Sequence, residues 1–229
     1  MKKRTLFLIF STFIFPYTTL FRSGCNNGPE RNPGETTSSF LQAMQHQDYS
    51  SVKTYYAENV DNFPNFKNKV ESISPQVANK LFSKMADFTY TVEQVTIDSN
   101  DPTKATATVT FRCYDLGKAF ESIVLDYLDT DLTMTFNGAK DDEIVKEAED
   151  VIVTRIDESK QDFVESIPIS LSLKDNSWKV DKLESNPDLM NALSGNILYT
   201  IRSLTNTIDT SSETPNQTTD STTSSNTSQ

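Results

Sequence analysis

Lys104-Ala105-Thr106-Ala107-Thr108-Val109-Thr110-Phe111-Arg112-Cys113-Tyr114 alternates polar residues with small or apolar ones along its whole length, and this run decides the fold class. Successive strand residues point to opposite faces, so strict alternation marks a strand with one face buried and one wet. Working outward from it, Phe88, Tyr90 and Val92 share one phase while Val95 and Ile97 share the other. That change predicts a bulge at Glu93 and Gln94 in a preceding strand, with Ser99 to Pro102 as the turn between the two. On the far side, Phe163, Ile167, Ile169, Leu171 and Leu173 alternate again, and Pro168 on the opposite phase suggests an edge strand. Asp175-Asn176-Ser177 then turns the chain into a short strand from Trp178 to Leu183.

Helical spacing brackets and interrupts these strands. Phe40, Leu41 and Met44 lie on one face of a helix over 35–47, and Asp48 is placed to cap a second helix carrying Val52, Tyr55 and Tyr56. Pro75 suits the first turn of a third helix with Val77, Ala78, Leu81, Phe82 and Met85 inward, while 59–74, with Pro64 inside it, reads as irregular. From Leu116 to Ile156 two amphipathic runs, separated by Asn137-Gly138, form a helical hairpin inserted between strands. Asn186 to Leu198 reads as a terminal helix or 3₁₀ segment. The expected architecture is α+β: a curved antiparallel sheet packed on N-terminal helices in a cone-like arrangement, with the hairpin covering part of the sheet or its mouth.

The N-terminus carries an address. Lys2, Lys3 and Arg4 precede the apolar run 6–15, and Gly24-Cys25 is followed by a polar stretch. A basic segment ahead of a short apolar one is an export signal, and the run is too short for a permanent span. The Gly24-Cys25 pair resembles the lipobox of bacterial lipoproteins, which implies acylation of Cys25, palmitate being one such acyl group, and residence on the extracytoplasmic face of the cell membrane. Residues 1–25 are thus the signal and 26–34 a tether. Arg22 departs from the pattern, which has an aliphatic residue there, and the string Phe15-Pro16-Tyr17-Thr18-Thr19-Leu20-Phe21-Arg22-Ser23 matches the translation of a common short-read sequencing adapter. Residues 15–23 therefore read as a sequencing artefact lying within an authentic signal.

Composition narrows the partners. Lys2, Lys3, Arg4 and Arg22 fall in the signal, so 17 basic residues face 32 acidic ones in the remainder, a net charge of −15. Such a surface repels phosphate backbones, and no nucleic-acid partner is expected. Membrane attachment is expected through the N-terminal lipid, not through a basic face. With Cys25 acylated, Cys113 has no disulfide partner; its phase with Ala105, Ala107, Val109 and Phe111 makes it a small hydrophobe of the core. Residues 206–229 are rich in Ser, Thr, Asn and Gln and are expected to be disordered.

Pro33, Phe40-Leu41-Gln42-Ala43-Met44 and Asp48-Tyr49 resemble the opening of small bacterial lipoproteins whose domain is similar to nuclear transport factor 2 and the cystatin-like cone. Leu171-Ser172-Leu173-Lys174-Asp175-Asn176-Ser177-Trp178-Lys179-Val180-Asp181 resembles the closing hairpin of that group. Asp188-Leu189-Met190-Asn191-Ala192-Leu193-Ser194-Gly195 resembles the tail of Gram-positive members of unknown function. The likeness places one such domain over 35–200. It implies a fold, and its motifs contain no catalytic residue.

Candidates for chemistry are few. Glu165 is the acid that breaks an apolar strand phase, and a carboxylate buried there could act as a base, as in ketosteroid-isomerase-like cones. Tyr90 and Gln94 are the candidate ligand-binding residues beside it. His46 is the sole histidine, at a helix end; Asp126, Asp129 and Asp131 lack the spaced ligands of a calcium loop, and Asp141-Asp142-Glu143 suits a helix N-terminus. No metal and no cofactor is expected. A non-catalytic module binding an envelope protein or a small ligand is the leading function, with an enzyme using Glu165 as the alternative. Resequencing the locus from genomic DNA should yield an open reading frame in which an aliphatic lipobox precedes Gly24-Cys25; recovery of the nine codons for 15–23 contradicts this.

Overall fold

The computed structural model describes residues 29 and 31–211. The expected signal, the expected lipidation residue Cys25, most of the expected tether and residues 212–229 lie outside the described residues. The elements run α1 (Pro33–Gln45), α2 (Tyr49–Tyr55), α3 (Asn62–Ile73), α4 (Pro75–Ala86), β1 (Thr89–Ile97), β2 (Lys104–Cys113), α5 (Leu116–Phe136), α6 (Asp141–Glu158), β3 (Phe163–Lys174), β4 (Ser177–Val180), a 3₁₀ turn (Leu183–Ser185), α7 (Pro187–Leu193) and α8 (Ile197–Ser211). The strands form one antiparallel sheet in the order β1-β2-β3-β4, with the α5–α6 hairpin inserted between two neighbouring strands. The α+β class and the curved sheet packed on helices agree with the sequence reading.

The expected bulge is present. Val92 pairs with Val109 but Gln94 with Thr108, so Glu93 is the extra residue. Its effect is to bring Val95 and Ile97 onto the same face as Tyr90 and Val92, opposite Ala107 and Ala105. Along β2 that face is Ala105, Ala107, Val109, Phe111 and Cys113, all buried, and β3 continues it with Ile167, Ile169 and Leu171. The Glu93 carboxylate stays on the wet face, accepting from Thr110 Oγ1 at 2.6 Å.

Two helical layers cover the apolar face. Phe40 and Leu41 of α1 and Val52 of α2 are fully buried against it, and Leu189 of α7 closes the β3 side. α1 starts at an Asn32 cap, where Glu35 N donates to Asn32 Oδ1 at 2.8 Å and Asn32 N donates to Glu35 Oε2 at 3.3 Å. Asp48 caps α2 as expected, its Oδ1 accepting from Ser51 N at 3.1 Å. Asp175 and Asn176 both adopt positive φ, giving the two-residue turn whose twist suits the β3–β4 hairpin. Pro168 is accommodated because β4 pairs only with Leu171–Lys174, leaving the outer edge of β3 open beside the proline.

Three details differ from the sequence reading. Residues 62–73, expected to be irregular, are α3: Pro64 falls in the first turn, where the missing N–H costs no helical hydrogen bond. The terminal segment expected over 186–198 is two helices, not one, and α8 runs on to Ser211. The α5–α6 hairpin has its main neighbours in α4 and α8 instead of lying across the sheet.

The α5–α8 contact depends on one glycine. Gly117 N donates to Gly195 O at 2.9 Å, and a Cβ added at Gly117 would meet Thr200 Oγ1 and come within 2.8 Å of Asn196 O. Asp115 locks the same corner, its Oδ1 accepting from Lys118 N at 3.1 Å and from Asn196 Nδ2 at 3.4 Å. Gly to Ala in a helix ordinarily adds about 0.5–1 kcal/mol. Gly117→Ala is expected to do the opposite, costing about 1–3 kcal/mol through overpacking. A urea midpoint that rises in the variant contradicts the packing described.

Candidate functional site

The most apolar recess among the described residues is a chamber of about 240 Å³ at one end of the covered sheet face. Its walls come from five directions. Met44 and Gln47 end α1, Tyr49 and Tyr56 flank α2, and Phe63 and Phe66 lie three apart on α3. Phe82, Met85 and Ala86 supply the α4 wall, while Leu183, Glu184, Met190 and Leu193 close the side of the 3₁₀ turn and α7. The lining is predominantly aromatic, thioether and aliphatic, with amide and carboxylate groups at the rim. Few placed polar groups around an apolar body is the usual make-up of a small-ligand site.

The rigid side of the chamber is well braced. Tyr56 Oη accepts from Leu183 N at 3.0 Å and Ala57 N donates to Val180 O at 2.9 Å, tying the end of α2 to β4 and the 3₁₀ turn. Phe40 stacks on Tyr56 at 5.9 Å, and the Phe63 ring meets Tyr49 at 6.1 Å and Tyr56 at 6.0 Å. The opposite side is looser. α3 buries no residue completely, and Phe66 is 52 % exposed while its ring edge rests on Phe82 at 5.5 Å. Burial holds the Tyr49 and Tyr56 phenols above the ordinary tyrosine pKa, so both are neutral donors at physiological pH.

The residues singled out from sequence lie elsewhere. Tyr90, Phe111 and Glu165 occupy one transverse row of the inner sheet face, with Phe111 between the other two. Tyr90 Oη donates to Ser38 O at 2.9 Å, which commits the hydroxyl to α1. Gln94 follows the bulge onto the outer face, where it is exposed and its Nε2 donates to Thr96 Oγ1 at 3.4 Å. Neither residue reaches Glu165, and none of the three lines the chamber.

Glu165 has surroundings of its own. Its Oε2 is buried with no hydrogen-bond partner, and burial, reinforced by the charge of Asp188, raises its pKa above the ordinary 4.5. Tyr199 at the start of α8 donates its hydroxyl to Asp188 Oδ1, and its backbone N donates to the buried Asn191 Oδ1 at 3.0 Å. Sequence reasoning found Glu165 but not Asp188 and Tyr199, because α7 and α8 meet β3 only through the tertiary fold. Cys113 beside them is an inert thiol, pushed up to about 12 chiefly by burial, with its Sγ donating to Ala192 O at 3.5 Å.

Three of the other polar candidates have partners within the fold. Asp126 pairs with Arg155 at 2.6 Å, Glu143 Oε2 accepts from Lys140 N at 3.2 Å, and His46 Nδ1 lies 2.7 Å from Gln42 O; the Asp131 side chain lies outside the described residues.

No family model matches this chain, and no curated protein matches it. Among solved structures it is similar to YcdA, a candidate lipoprotein of Bacillus subtilis, at 13 % identity and a TM-score of 0.46. That alignment covers 71 % of this chain, which spans only 55 % of the other.

The raised Glu165 pKa gives a signed prediction. A carboxyl that binds its proton more tightly when folded stabilises the fold below pH 4.5 and loses that contribution as pH rises through its folded value. Glu165→Gln, neutral at every pH, should therefore raise the melting midpoint by a few degrees at pH 8 and leave it nearly unchanged at pH 4. Equal midpoint shifts at both pH values contradict the assignment.

Proposed function

We propose that this chain is a lipid-anchored, extracytoplasmic module of the bacterial envelope that binds a small apolar ligand and carries out no chemistry on it. The observation that carries the reading is the aromatic and methionine-lined chamber between α2, α3, α4 and α7. An apolar wall left without packing partners forgoes dispersion contacts that a ligand of matching shape would restore. Methionine suits such a wall, since its unbranched thioether adapts to varied ligand shapes. The export signal, Cys25 and the polar tether support the location, and no described helix is long and apolar enough to cross a membrane. The nuclear transport factor 2-like reading of the domain belongs to this proposal and rests on the sequence motifs that resemble that group.

A second reading, the Glu165 enzyme, is favoured by the orphaned Oε2. It ranks below the first because catalysis needs several placed groups around a substrate, and Glu165 faces the Asp188–Tyr199 pair instead of an open chamber. Deuterium loss from the α-carbon of a cyclic ketone, abolished in Glu165→Gln, would promote it.

Two measurements test the proposal. Cys25→Ala should move the protein from the membrane fraction to the medium and remove acyl label; retention of the variant in the membrane contradicts the anchor. Ala86→Trp should fill the chamber, lowering affinity for an environment-sensitive naphthalene dye by about tenfold or more, the equivalent of 1.4 kcal/mol, with an unchanged circular dichroism spectrum. Undiminished dye binding in a folded variant removes the chamber from the function.

A further inference from the structure

The apolar chamber does not end in plain solvent. Gln47, Phe82 and Ala86 line it on one side and on the other line a polar cleft that also includes Gln45, Asn79, Ser83 and Lys67. Lys67, on α3, is half-buried at this junction, and its ammonium donates to the neutral Gln47 Oε1 at 3.0 Å. None of the ion pairs among the described residues includes Lys67. What sets Lys67 apart is its position, half-buried where the apolar chamber meets the polar cleft.

The residue that holds it is itself constrained. Gln47, with a φ of 53°, is the left-handed residue that ends α1, where Asp48 N donates to Ala43 O at 2.9 Å, and its Nε2 donates to Phe82 O at 3.4 Å. One side chain thus braces α4 with its amide nitrogen and positions the Lys67 ammonium with its amide oxygen.

We infer that the ligand is a single-chain fatty acid, its acyl chain in the apolar chamber and its carboxylate on Lys67 at the junction with the polar cleft. This rests on the binding reading proposed above and names the ligand class. The chamber's 240 Å³ lies below the ~300–1,000 Å³ of drug-sized pockets, which favours one short chain over a diacyl lipid. Phe63, Met85 and Phe88 line the chamber, which also holds the amides of Asn59 and Asn62, and Lys67 and Asn79 bring donors to the adjoining cleft. Acids are also present, Glu184 at the opposite rim and Asp87 across the cleft, and both disfavour an anion seated anywhere but on Lys67.

The test is calorimetric titration with decanoate, decanol and decylamine at pH 7.4, using wild type, Lys67→Met and Lys69→Met. Lys69 is exposed on the same helix and controls for overall charge. Wild type and Lys69→Met should bind decanoate about tenfold more tightly than decanol, the effect of one charge-assisted hydrogen bond, and Lys67→Met should lose that preference while still binding decanol. Decanoate and decanol binding equally to wild type overturns the headgroup assignment and leaves the chamber as a binding site. Decylamine binding most tightly overturns it in favour of Glu184. Absence of binding by all three defeats the ligand-binding reading itself.

Discussion

Everything in this fold follows from the need to bury one face of a four-stranded sheet. Alternation on β2 and β3 makes that face continuously apolar from Ala105 to Cys113 and from Ile167 to Leu171, and the bulge at Glu93 keeps β1 in step with it. Without the extra residue, Val95 and Ile97 would turn to the wet side, where Glu93, Gln94 and Thr96 now stand. Even so, the far end of β1 outruns its cover: Val95 and Ile97 remain 39 % and 50 % exposed. The helical layer is short, and where it stops is as informative as where it packs.

At the other end, beyond α1 and α7, the α3–α4 pair forms the outer wall of the chamber. α4 is anchored by Phe82 and Ala78, both buried, whereas α3 contributes half-exposed rings and buries nothing completely. A helix held by so little apolar contact sits at the low-stability end of the fold, the kind of element that opens locally. The chamber therefore has one firm wall and one yielding wall, an arrangement through which the proposed ligand would enter without disturbing the sheet. The same helix carries Lys67, the residue of the proposed headgroup contact.

Much of the fold was legible in the sequence because a period of two cannot be mistaken over so long a run as Lys104 to Tyr114. The bulge was readable as a phase change, the Asp175-Asn176 turn as turn chemistry, and Pro168 as a mark of an open strand edge. α3 was not, since Pro64 suggests a break unless the helix start is known to lie at Asn62. The site was less legible still. Glu165 stood out as a lone acid on an apolar phase, but its neighbours Asp188 and Tyr199 come from helices whose docking only the tertiary structure shows. The chamber has no local signature at all; Met44, Phe63, Met85 and Met190 each look like ordinary core residues, and what distinguishes them is the volume that they together leave unfilled.

That unfilled volume is the central claim, and methionine methyl groups report on it directly. The chain has five methionines, of which Met44, Met85 and Met190 line the chamber and Met134 sits on the distal half of α5. In a titration of ¹³C-methyl-methionine protein with decanoate, the account predicts saturable shifts of the Met44, Met85 and Met190 signals with Met134 stationary. Shifts spread evenly over all four, or none at saturating decanoate, would contradict it.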